Sequence, residues 1–245
     1  MMSGPDSTAV PAEQPSGQPT QHRVEGRWAA PRDRLQVEGE VGAAAVDGRR
    51  VSGPVQGFGR LWQKTFRVRL DDVEITPAEV MATWRERYGE FWPTGNEFRS
   101  PLAGVEPGEI GIITGRVGGL RLSTGVLVMY ADETSFAFIT PEGHPFAGLI
   151  TFSADRDDDG TTAAQVELFL RAHDPIVELG LAFGLHRKEE TIWTDTCGNL
   201  ARALGVLQPT VDSRVVCVDR RRQWRRIGNL RHDAVLSALI RPFRR

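Results

Sequence analysis

Lysine and cysteine are almost missing from this sequence. Of 30 basic residues only Lys64 and Lys188 are lysines. That bias fits a GC-rich genome, so arginine clusters carry less functional weight here than elsewhere. The two cysteines, Cys197 and Cys217, form no CxxC pair, which speaks against a disulfide scaffold or a structural zinc site and makes a reducing compartment the default. No apolar run reaches membrane-spanning length, and no signal-peptide core follows Met1, so a soluble, cytoplasmic protein is expected. GxSxG and HExxH are absent, and no cysteine lies beside a recognisable histidine, which argues against a nucleophilic hydrolase and a metalloprotease. The formal net charge of −2 supplies no global attraction to nucleic acid.

What is present is enough for a real core. Hydrophobic residues make up 40% of 245, room for one good-sized domain with tails or two small ones. Residues 1–52 are rich in Pro, Gly, Ser, Ala and Gln and are expected to be a mostly disordered tail, with Trp28 and Val37 able to dock locally. Leu61 to Leu70 alternates, with Trp62, Phe66, Val68 and Leu70 on one face, which predicts a half-buried strand. Thr76-Pro77-Ala78-Glu79 is a capping box that opens a helix carrying Val80, Met81, Trp84 and Tyr88 on one side. Residues 90–108 read as loop with at most one short strand. Five strands follow, at 110–117, 120–130, 134–140, 148–154 and 163–172, and their short connections make neighbours antiparallel.

From Asp174 to Gly205 the pattern predicts one long helix, roughly 45 Å at about 1.5 Å per residue. Asp174 caps it, Pro175 fills the first helical position and Gly205 stops it. Leu179, Phe183, His186, Glu190, Trp193, Cys197, Leu200 and Leu204 share one face. Beyond it come a proline-marked linker, a short strand at 214–218, the run DRRRQWRR and a helical pattern over 229–240. From Arg214 onward ten arginines oppose Asp219 and Asp233 alone.

That order of elements resembles the helix-grip fold of the SRPBCC superfamily, which includes START domains and polyketide cyclase/dehydratase-like proteins. The segments GFGRLWQKTFRVRL (57–70), STGVLVMYADETSFAFITPEGHPFAGLITFSA (123–154), RAHDPIVELG (171–180) and DRRRQWRRIGNLRH (219–232) resemble those of an uncharacterised SRPBCC-like bacterial family. The resemblance implies an α+β helix-grip fold, with a curved antiparallel β-sheet wrapped around a long C-terminal helix. The boundaries expected are a tail over 1–52, the helix-grip domain over 53–205, and a basic C-terminal extension over 206–245 that packs on it. It also implies a cavity between sheet and helix for an apolar or amphipathic molecule, and it supplies no catalytic motif to carry over.

Several constellations invite chemistry. His186 and Glu190 lie one turn apart on the apolar stripe. An imidazole there beside a carboxylate would have a raised pKa and suit general-base work, or the two groups would satisfy each other at the edge of the face. Phe66, Tyr130, Phe136, Phe138, Phe152, Phe183 and Trp193, with His186 and Glu190, are the expected ligand-binding residues if the interior is hollow, and core if it is filled. Asp174 beside His173 is explained by capping. His144, in TPEGHPFAG, either meets a ligand or fixes its hairpin. Asp155, Asp157, Asp159 and Gly160 begin like a calcium loop, but Val166 stands where the bidentate glutamate belongs, so a solvated turn is expected. Glu167 alternates onto the opposite side of its strand from Val166, Leu168 and Leu170. Gly57-Phe58-Gly59 meets Trp62 where a dinucleotide motif needs glycine. No metal and no cofactor are expected.

Three functions stay open: carriage of a small hydrophobic molecule, acid–base catalysis of cyclase, dehydratase or isomerase type, and binding of nucleic acid or an anionic membrane through the arginine tail.

Overall fold

The alternation in Leu61–Arg69 (β1) turns Lys64, Phe66 and Val68 to a single buried side and leaves the residues between them half-exposed. The computed structural model describes residues 26–37, 45–93, 97–99, 105–117 and 120–232. Helix Pro77–Glu86 (α1) begins with both halves of the capping box. Glu79 N donates to Thr76 Oγ1 at 3.3 Å, and Thr76 N donates back to the Glu79 carboxylate at 2.8 Å. A 3₁₀ turn over Tyr88–Phe91 leads to Glu97–Arg99 (β2), and Ile110–Val117 (β3), Leu120–Ala131 (β4), Ser135–Ile139 (β5), Phe146–Arg156 (β6) and Thr162–Ala172 (β7) follow as hairpin neighbours. The last strand is Val211–Asp219 (β8).

All eight strands form one antiparallel sheet in the order β2-β3-β4-β5-β6-β7-β1-β8. The first strand in sequence therefore lies between the last two. One face is covered by α1, over β6 and β7, and by helix His186–Ala203 (α3), over β1, β7 and β8. No helix of the described residues is long and apolar enough to cross a membrane.

Three expectations about boundaries and elements change. Within 1–52, Leu35 and Val46 are fully buried against Ile110, Ile112 and Leu127. The outer face of β3 and β4 is apolar there, and this segment covers it; residues 1–25 and 38–44 lie outside the described residues. At the other end, residues 211–219 do more than pack on the domain, because β8 completes the sheet beside β1. Of the helical pattern over 229–240, the described part belongs to a 3₁₀ helix, Trp224–His232.

The expected single helix is broken. Asp174 caps it as foreseen, its Oδ1 accepting from Ile176 N at 2.8 Å and Val177 N at 3.1 Å. Only Pro175–Gly180 (α2) follows before a wider, π-type turn over Leu181–Leu185. There Phe183 (φ −101°, ψ 24°) and Gly184 (φ +103°, ψ 3°) leave helical geometry. A residue in the left-handed region cannot continue a right-handed helix, and glycine enters that region without a Cβ clash. The break divides the predicted stripe, whose α3 members Trp193, Cys197 and Leu200 stay buried. The buried residues of α3 are Glu189, Trp193, Thr196, Cys197, Gly198, Leu200 and Ala201, whereas Leu179 is 61% and Phe183 82% exposed.

Candidate functional site

Between the sheet and the two helices lies an aromatic interior. α1 contributes Trp84, the turn after it Tyr88 and Trp92, β2 Phe98, β5 Phe136 and Phe138, β6 Phe152 and α3 Trp193. The rings touch one another. Tyr88 lies edge-on to Phe98 at 4.6 Å, Phe138 at 5.2 Å and Phe152 at 5.4 Å between centroids, and Phe136 stacks on Phe152 at 4.5 Å.

Of the aromatic residues expected to bind ligand, Phe136, Phe138, Phe152 and Trp193 converge here, and Phe66 is fully buried in the same core. Two do not. Tyr130 faces the other side, its ring 4.6 Å from Trp28 and its hydroxyl donating to Asp132. A bulge in β4 between Val128 and Tyr130 reverses the alternation, so a residue in phase with buried Val126 and Val128 turns outward. Phe183 is carried into solvent by the break at Gly184.

Three polar atoms inside this interior have no hydrogen-bond partner among the described residues: Trp84 Nε1, Tyr88 Oη and Trp92 Nε1. Tyr88 and Trp92 approach each other, rings 6.1 Å apart, without reaching hydrogen-bond geometry. Burial pushes the Tyr88 hydroxyl well above its ordinary pKa, with the Trp92 indole pulling it partway back. Each buried, unpaired group costs about 1–3 kcal/mol.

Trp193 links this interior to a charged cluster in which the expected His186 and Glu190 meet two residues that the sequence did not single out, Lys64 and Glu189. Lys64, on the buried face of β1, has no exposed surface. Its Nζ lies 2.6 Å from Glu189 Oε2, 3.3 Å from Glu190 Oε1 and 3.1 Å from His186 Nδ1. Three partners match the three hydrogens of an ammonium. Because an ammonium has nothing to accept with, Nδ1 of His186 must accept, which makes the imidazole neutral with its proton on Nε2. Burial, then Lys64, holds the His186 pKa below the usual histidine range. This corrects the expectation of a histidine raised by Glu190: among the described hydrogen bonds both groups reach Lys64 instead of each other. Glu189 is buried and its carboxyl is pushed up, chiefly by desolvation, against the pull of Lys64. Its Oε1 lacks a partner at ordinary geometry, with the Trp193 indole helping only weakly, and the indole nitrogen of Trp62, whose ring lies 5.0 Å from His186, is also unpaired. One sequence signal was available. Lys64 falls between Trp62 and Phe66 on the apolar phase of the strand, where a lysine requires buried carboxylates.

The remaining candidates are structural. His173 is buried and its Nε2 accepts from Gly143 N at 3.2 Å. His144 Nδ1 lies 3.0 Å from Phe146 N and 2.8 Å from its carbonyl, and burial lowers its pKa to about 4. Asp155, Asp157 and Asp159 are bound by Arg67 and Arg69 at 2.5–2.7 Å, so arginine occupies the position a calcium ion would need. Glu167 accepts from Gln63 Nε2 at 2.7 Å on the sheet's outer side. Among the described residues no group of three or more His, Cys, Asp or Glu is placed to hold a metal.

An eight-stranded antiparallel sheet that grips a C-terminal helix defines an α+β protein of the helix-grip class. The chain belongs to the DUF1990 family, a domain of unknown function, whose profile matches residues 33–189. Among the solved structures similar to it are the following three. Ara h 8.0201 is 12% identical with a TM-score of 0.41, over 58% of this chain and 97% of that one. Protein Ms6760 from Mycobacterium smegmatis is 13% identical with a TM-score of 0.41, over 60% and 91%. TTHA0849 from Thermus thermophilus is 12% identical with a TM-score of 0.45, over 58% and 96%. No site residue is carried over from them. No curated protein matches the chain.

Proposed function

We propose that this protein binds or carries a small, largely apolar molecule with hydrogen-bonding atoms, seated in the aromatic interior between the sheet, α1 and α3. The observation that carries this reading is the set of unpaired buried donors, Trp84 Nε1, Tyr88 Oη and Trp92 Nε1, within otherwise apolar surroundings. A filled core selected for stability alone would favour phenylalanine or leucine at these positions, because each orphaned donor opposes folding. A ligand whose acceptors meet those donors removes that cost, while the rings shift aside and bury its apolar surface. Native mass spectrometry of the purified protein, then solvent extraction, is expected to find a copurified small molecule. Phe138→Ala and Trp193→Ala should change which molecules are retained. An empty protein that also takes up no fluorescent apolar probe would overturn the reading.

A second reading is acid–base catalysis on such a ligand by His186 and Glu190. It is favoured by one feature: both are half-exposed while anchored to a buried lysine. His186 would supply a neutral imidazole and Glu190 a carboxylate, with Lys64 and Glu189 positioning them. His186→Gln should then abolish conversion of an identified ligand while leaving its retention intact. Retention and conversion unchanged in that variant would remove the catalytic role.

A further inference from the structure

Residues 220–232 hold six arginines and no acidic residue. The 3₁₀ helix Trp224–His232 brings residues three apart onto a common side. One side is tied to the domain. Gln223 N, just before the helix, donates to Phe58 O at 2.7 Å, Asn229 Nδ2 donates to Gln56 O at 2.8 Å and His173 O at 2.7 Å, and His232 Nδ1 lies 2.7 Å from Arg49 Nη1. Another side carries Trp224 and Ile227, which are 67% and 48% exposed. Trp224 meets Phe58 edge-on at 5.3 Å between centroids while most of its surface stays open.

The arginines divide by their partners. Arg222 pairs with Glu178 at 3.0 Å and Arg221 with Asp219 at 3.1 Å. Arg220, Arg225 and Arg226 are exposed and, among the described residues, form no ion pair. The result is a pair of exposed apolar side chains, with Arg225 and Arg226 between them in sequence, and three exposed cations whose charge no described residue neutralises.

The geometry points to a docking surface for an anionic lipid bilayer, with Trp224 and Ile227 entering the headgroup boundary and Arg220, Arg225 and Arg226 facing lipid phosphates and carboxylates. Charge complementarity selects an anionic partner. Within that class, an exposed tryptophan paired with an exposed isoleucine suits the bilayer interface. Single-stranded nucleic acid would use the arginines and the indole but has no use for the aliphatic Ile227.

The test is cosedimentation of the full-length protein with vesicles of phosphatidylcholine, with and without phosphatidylserine, at low and high salt, beside binding to a single-stranded oligonucleotide. Binding is expected only with phosphatidylserine and is expected to fall at high salt. An anionic surface contributes about fivefold per arginine, so R220Q/R225Q/R226Q should weaken partitioning on the order of 100-fold. Trp224→Ala should weaken it without changing its salt dependence. Circular dichroism melts that match the parent protein show that the variants remain folded. Equal binding to neutral vesicles, no vesicle binding, oligonucleotide binding without vesicle binding, or an unaffected triple variant would each overturn the proposal.

Discussion

Lys64 is the residue on which the charged end of the interior depends. Its ammonium is satisfied by Glu189, Glu190 and His186 from the first turn of α3, and its strand neighbours on the same face, Trp62 and Phe66, are aromatic. A buried ion pair adds little net stability, but removing one partner strands the other charge, at about 3–5 kcal/mol. Lys64→Met is therefore expected to lower the unfolding free energy by that amount near neutral pH, and Lys64→Met/Glu189→Leu should recover most of it. The pH dependence has a definite sign. Glu189 has a folded pKa raised above its unfolded value near 4.5. Its favourable contribution is present below the unfolded pKa and is lost as pH rises through the folded one. Without Lys64 the folded pKa rises further, so the Lys64→Met deficit should shrink on acidification. Urea unfolding at neutral and acid pH measures both effects, and a deficit that grows in acid would contradict the assignment.

At the scale of elements, the break between α2 and α3 decides which residues meet the site. Continuation of α2 would have kept Phe183 on the stripe of His186 and Trp193; the turn at Gly184 takes it into solvent and brings Glu189 under Lys64. A Cβ at Gly184 would meet no atom within 4 Å, so any penalty there comes from the backbone alone. Gly184→Ala is expected to destabilise the protein by about 1–2 kcal/mol through the left-handed φ. Chemical denaturation checks it, and an unchanged midpoint would mean that the turn relaxes freely. The caps were plain in the sequence: Thr76 and Asp174 act as their residue types predict. The break was not, because an isolated glycine in a helical pattern is usually tolerated.

Across the whole molecule, the segments before and after the hairpin series complete what it leaves open. The segment around Leu35 and Val46 covers the outer face of β3 and β4, and β8 covers the edge of β1. Arg171, nearly buried on β7, donates to Gly59 O at 2.6 Å, Arg221 O at 2.9 Å and Asp219 Oδ2 at 2.7 Å. A chain ended after Gly205 would bare the β1 edge and leave that guanidinium without two of its partners. It is expected to be insoluble or to unfold at markedly lower urea than the full chain, as soluble yield and a urea titration would show. A fully stable truncation would mean that β8 is dispensable.

The sequence by itself determined the strands, their hairpin order, the two helix caps and most of the apolar face, because alternation, helical spacing and capping chemistry are written within a few residues of one another. Phe136, Phe138, Phe152 and Trp193 were legible as interior residues for that reason. The tertiary structure alone decided that β1 lies between β7 and β8, that a bulge turns Tyr130 outward, and that Lys64 meets Glu189 across 125 residues of chain. Local periodicity says which face of an element avoids water. It does not say which distant carboxylate will stand opposite a lysine on that face, since that depends on how whole elements are laid against each other.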